Sequence, residues 1–80
     1  MERKLHVDTF MPRKIYREHM LASRAKLDSA RRAWFVRVSI MRQSDEGIET
    51  LTLQPAKLFA TEEEAIDEGF RFAELWVDQV

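Results

Sequence analysis

The sequence predicts an α+β fold, a small antiparallel three-stranded sheet packed by one C-terminal amphipathic helix. Three observations predict it. Residues 34–42 alternate between two faces in a β-rich run, and residues 48–54 form a second alternating run after a polar stretch containing Gly47. Residues 61–80 then repeat their apolar positions at helical spacing behind a capping sequence.

The helix is the best-marked element. The Thr61 hydroxyl is placed to accept from a free backbone N–H, and Glu64, three residues on, is placed to reach back. Glu62 and Glu63 add negative charge beside the positive end of the helix dipole. Ala65, Ile66, Gly69, Phe70, Ala73, Trp76, Val77 and Val80 form a broad apolar stripe flanked by Phe72 and Leu75, and Asp67, Glu68, Glu74 and Asp78 take most of the remaining surface. Such a helix is roughly 27 Å long, enough to cross three strands. Gly69 in mid-helix costs about 1 kcal/mol relative to Ala, which predicts a close approach of helix and sheet there.

In the strand over 34–42, Trp34, Val36, Val38 and Ile40 share the core face, while Phe35, Arg37, Ser39 and Met41 share the other. Residues 43–47 make a polar turn in which Gly47 supplies positive φ. The returning strand, 48–54, puts Glu49, Leu51 and Leu53 on one face and Ile48, Thr50, Thr52 and Gln54 on the other, and Pro55 ends it. Residues 15–33 are rich in helix formers, yet a helical face through Ile15, His19, Ala22 and Lys26 is only half apolar. A strand over 16–25 with a loop over 28–32 completes the sheet. Residues 1–14, which lack periodicity and contain Pro12, are expected to be a flexible arm, and 15–80 a single domain. The apolar residues Leu5, Val7, Phe10 and Met11 are the arm's means of docking as an edge strand or on a partner.

Eighty residues make one domain, near the size at which a single core gives only a few kcal/mol of net stability. With no cysteine, neither a disulfide framework nor a thiolate metal site can supplement it, and a partner subunit is the remaining device. No apolar run approaches the roughly 18 residues of a membrane span, and the N-terminal charges are not followed by the apolar stretch of a secretory signal. A soluble cytoplasmic protein is expected. Residues 1–42 hold 11 Lys and Arg against 4 Asp and Glu, a formal +7, whereas 43–80 hold 2 against 10, a formal −8. Such a chain can meet a polyanion with its first half or place the acidic helix of one subunit near the basic segment of another.

Material for catalysis is thin. His6 and His19 lie in segments with no neighbouring nucleophile motif, Glu62 to Glu64 already have an electrostatic role at the helix start, and Gly47 and Gly69 are too far apart for a phosphate loop. The sequence is read as non-catalytic, with no metal, cofactor or small-molecule substrate. Nucleic-acid binding has more to work with. Arg17, Arg24, Lys26, Arg31, Arg32 and Arg37 are candidate phosphate contacts, and Phe35 is the clearest stacking platform because Trp34 falls on the core face. The competing reading is a solvated basic face. Phe35, Met41, Phe72 and Leu75 exceed what one thin core needs, and they are the candidate homodimer interface.

The order of strands, the Trp34-led strand, and a helix opening Thr61, Glu62, Glu63, Glu64, Ala65 and continuing through Gly69, Ala73 and Trp76 resemble a group of small bacterial βββα domains of unknown function. The resemblance covers about residues 16–80, with Tyr16 in the place of a strand-starting tyrosine. It implies the βββα arrangement, brings no activity, and departs in the basic connection 26–33, where a Gly-containing turn would be expected. The outline is also similar to small single-strand-binding coactivator domains, a likeness of fold alone. The sequence thus points to a homodimeric, non-catalytic binding or interaction module, with single-stranded nucleic-acid binding through the basic half and the sheet as the alternative.

Overall fold

The computed structural model describes residues 12–79. The expectations for residues 1–11 of the arm, Leu5, His6, Val7, Phe10 and Met11 among them, and for Val80 lie outside those residues. The elements are β1 (Arg13–Tyr16), β2 (His19–Asp28), β3 (Ala33–Ser44), β4 (Gly47–Leu53) and α1 (Glu62–Asp78). The strands form one antiparallel sheet in the order β1-β2-β3-β4, and α1 packs across β2 and β3.

The class is α+β with one sheet and one C-terminal helix, but the sheet has four strands rather than three. The extra strand is β1, which takes up part of the expected arm. Tyr16 does not start the second strand; it ends β1 and pairs with His19 across a two-residue turn. That turn holds Arg17 at φ 48° and Glu18 at φ 67°. Both lie in the left-handed region that a tight hairpin needs and that Gly or Asn fills more readily. Neither residue type advertises a turn, which is why the hairpin was illegible.

β2 forms although its residues favour a helix. Alternation puts Leu21, Ser23 and Ala25 toward α1, and Leu21 and Ser23 are fully buried. Pairing with β3 from Met20↔Met41 to Asp28↔Ala33 outweighs local propensity. The β2–β3 turn has no glycine. Arg31 N–H donates to the Asp28 carbonyl at 3.2 Å and to its Oδ1 at 3.3 Å, and Arg32 takes φ 53° in the place a glycine would occupy. At the next hairpin Gly47 has φ 125° and pairs with Ser44, as the sequence predicts.

Beyond Leu53 the chain leaves the ladder and returns at Phe59. There it bridges Trp34 through two backbone bonds, Trp34 N–H to Phe59 O at 2.8 Å and Phe59 N–H to Trp34 O at 2.7 Å. Residues 54–58 therefore stand out beside the start of β3, an excursion that shapes the site described below.

Helix α1 opens at Thr61, whose Oγ1 accepts from Glu64 N–H at 3.1 Å. Glu64 reaches back one residue further than the usual box and accepts from Ala60 N–H at 3.2 Å. Ala65, Gly69, Ala73 and Val77, spaced four apart, face the sheet. They meet Leu21, Val36, Val38, Ile40 and Phe59 in the core. Small side chains along this stripe let the helix sit low. A Cβ on Gly69 would come 2.6 Å from Val36 Cγ2 and 3.0 Å from Val38 Cγ1, distances at which something must move.

Candidate nucleic-acid interface

Alternation along the strands gives the sheet two unlike faces. The face under α1 holds Leu21, Val36, Val38, Ile40, Leu51 and Leu53. Among the described residues, no helix covers the other face. Its charged strand positions among the described residues, by register, are Arg13, Arg24, Lys26 and Arg37 as cations and Asp28 as the one carboxylate, a formal +3.

Arg24, Lys26, Phe35, Arg37 and Ser39 surround a hollow of about 160 Å³ on that open face. Pairing explains the grouping: Arg24 is opposite Arg37 and Lys26 is opposite Phe35, so four side chains from two adjacent strands stand over neighbouring rungs. Arg37 Nη2 donates to Gln54 Oε1 at 3.2 Å, which steadies the guanidinium beside the ring. A second hollow of about 580 Å³ begins on the other side of Phe35. It lies between Asp28 and Arg31 of the β2–β3 turn and the excursion 54–58. Phe35 thus belongs to both, and the two hollows follow the line of β3.

Of the seven residues predicted to contact nucleic acid, the structure brings Arg24, Lys26, Phe35 and Arg37 into the first hollow and Arg31 onto the rim of the second. Arg32 is exposed in the same turn. Arg17 lies elsewhere. Its Nε is 3.0 Å from Asp78 Oδ1 at the end of α1, and its guanidinium sits 5.6 Å from the centre of the Tyr16 ring. Hydrogen bonding to Tyr16, and then the charge of Asp78, raise the Arg17 pKa above its ordinary value, so this cation stays charged but is engaged on the helix side. Sequence reasoning missed Gln54 and the apolar residues Pro55, Ala56 and Leu58 of the second hollow, because nothing in the chain signals that 54–58 folds back beside Phe35.

The acidic helix lies on the opposite layer. Glu74 pairs with Lys14, Asp78 with Arg17 and with the Tyr16 hydroxyl, and Glu68 with Arg71. The sheet therefore stands between these carboxylates and the basic hollow, and they cannot neutralise it at contact range.

The four residues expected at a dimer interface divide between the two layers. Phe35 and Met41 are on the open face, where Met41 pairs in register with Met20 and Thr50, beside the 66% exposed Ile15. Phe72 and Leu75, 37% and 56% exposed, are on α1. Phe70 and Glu74 turn toward Lys14 of β1, so helical geometry puts Phe72 on the side of α1 away from β1 and Leu75 on its outer face.

His19 Nδ1 donates to the Arg17 carbonyl at 2.8 Å, an attachment within the β1–β2 hairpin. Among the described residues, no group of three or more His, Cys, Asp or Glu could hold a metal ion, and no helix is long and apolar enough to cross a membrane. No protein-family model, curated protein or solved structure matches this chain.

Proposed function

We propose that this protein is a non-catalytic binding module that takes up single-stranded nucleic acid on the open face of its sheet. The observation that carries the reading is the hollow in which Arg24, Lys26 and Arg37 surround the ring of Phe35. Three cations answer the charge of a phosphate backbone, and an aromatic ring among them offers a stacking surface that every base can use. A paired duplex presents no base face to such a ring, so single strands are the preferred form.

Fluorescence anisotropy of a labelled oligothymidine at two salt concentrations tests this. Three phosphate contacts predict that a tenfold rise in salt weakens binding about a hundredfold. Absence of binding at low salt ends the reading.

A second copy of the chain is the other proposed partner, and a specific observation favours it. Among the described residues β4 is an edge strand, its Leu51 and Leu53 are only half-buried, and Phe72 and Leu75 of α1 are exposed. Pairing of two β4 edges about a two-fold axis would cover them and set the two open faces side by side. Leu75→Lys then produces monomers in light scattering. A wild-type chain that is monomeric at every concentration refutes the dimer and leaves the nucleic-acid reading standing.

A further inference from the structure

The two hollows that share Phe35 differ in chemistry, and the difference assigns them different parts of a nucleotide. The smaller one is ringed by Arg24, Lys26 and Arg37, with the Ser39 side included. The larger one is lined by the Phe35 ring and by Pro55, Ala56 and Leu58, with Lys57 and the ion-paired Asp28 and Arg31 as its charged members. A cationic ring suits phosphate oxygens. Apolar side chains beside an aromatic ring suit the flat, weakly polar body of a base, and the charge of Arg31 in this hollow is already answered by the Asp28 carboxylate 3.0 Å away.

We infer that the hollow between Phe35 and the excursion 54–58 is a nucleobase subsite, and that the Arg24, Lys26 and Arg37 hollow holds the phosphates of the same strand. This rests on the single-stranded nucleic-acid reading. The strand then runs along β3, with a base seated on Phe35 and lodged against Pro55 and Ala56, and its backbone passing over Arg37 toward Ser39. From Ser39 to Ala33 the face is roughly 20 Å long, which accommodates about four nucleotides, the low end of known single-strand site sizes. The excursion exists because the returning chain has two more residues between Leu53 and Phe59 than β3 has between Trp34 and Val38, so it is built into the sheet's register.

The test compares two eight-residue probes of equal charge, oligothymidine and an abasic oligodeoxynucleotide of the same length, on the wild-type protein. Oligothymidine is expected to bind about tenfold or more tightly than the abasic probe, the range that stacking of a base on an aromatic side chain supplies. Both probes are expected to share one salt dependence. Ala56→Trp, a change at an exposed position that fills the subsite, reduces oligothymidine to the abasic level with the salt slope unchanged. Equal affinity for the two wild-type probes overturns the base subsite while leaving a charge-driven nucleic-acid binder. Failure of both to bind at low salt overturns the underlying reading instead.

Discussion

Gly69 of the helix sits directly against Ser23 of the sheet, so that a methyl group on the glycine would overlap the serine Oγ while that hydroxyl donates to the Ile66 carbonyl at 3.0 Å. The helix backbone therefore approaches β2 so closely that only the small Ser23 side chain stands between them. Gly69→Ala gains about 1 kcal/mol of helix propensity, but overpacking against Val36, Val38 and Ser23 costs about 1–3 kcal/mol. The expected result is a net loss of up to about 2 kcal/mol in chemical denaturation. Ser23→Ala alone loses a buried hydrogen bond, about 1 kcal/mol. The double variant should lose less than the two single losses combined, because one overlap disappears. Strict additivity would show that the contact is not shared.

The close approach at Gly69 was legible in the sequence, since a glycine within an amphipathic helix needs a packing reason. So were α1, its Thr61 cap, β3, β4 and the two faces of Trp34 and Phe35, all of which rest on periodicity or capping chemistry. β1 was not. A four-residue strand gives little periodicity, and its turn uses Arg17 and Glu18 at positive φ, a conformation stabilised by its surroundings rather than signalled by residue type. The basic and aromatic members of the candidate site were visible as residue types, and alternation put Phe35 and Arg37 on one face. Their union with Arg24 and Lys26 depended on the β2–β3 register, and the second hollow on the excursion 54–58 with its two extra residues, neither of which a single sequence encodes locally.

The same turn yields a prediction in the stabilising direction. Glu18 holds φ 67° and, among the described residues, no ion pair or side-chain hydrogen bond involves it, whereas Arg17 is tied to Asp78. Replacing Glu18 with Gly removes the left-handed penalty at an exposed position and should stabilise the domain by about 0.5–1 kcal/mol. A rise in the thermal midpoint checks it. Pro at the same position demands negative φ and should open the hairpin.

At the start of α1, Thr61 and Glu64 satisfy free backbone donors through separate bonds. Thr61→Ala is expected to cost about 1 kcal/mol, and Thr61→Ser to recover most of it, because the accepting oxygen rather than the methyl group makes the cap. Glu64→Gln keeps an acceptor for Ala60 N–H but loses the charge beside the helix dipole, a smaller loss of about 0.5 kcal/mol that shrinks in high salt. Denaturation midpoints at low and high salt separate the two contributions.

Trp34 and Phe35 are neighbours in sequence with opposite faces, and they give the sharpest separation of stability from binding. Trp34 packs against the core and carries the backbone bridge to Phe59, so Trp34→Ala leaves a cavity and should cost about 3 kcal/mol or more. Phe35 belongs to the open-face hollows, outside the core cluster. Phe35→Ala should therefore change stability much less, by about 1 kcal/mol, while reducing affinity for oligothymidine about tenfold. Phe35→Trp retains the aromatic face and should retain binding. Arg37→Ala should act differently again, lowering the magnitude of the salt slope by about 0.7 as one phosphate contact is lost. If Phe35→Ala instead unfolds the domain and leaves the affinity of the remaining folded fraction unchanged, the ring is part of the core and the open face loses its stacking platform.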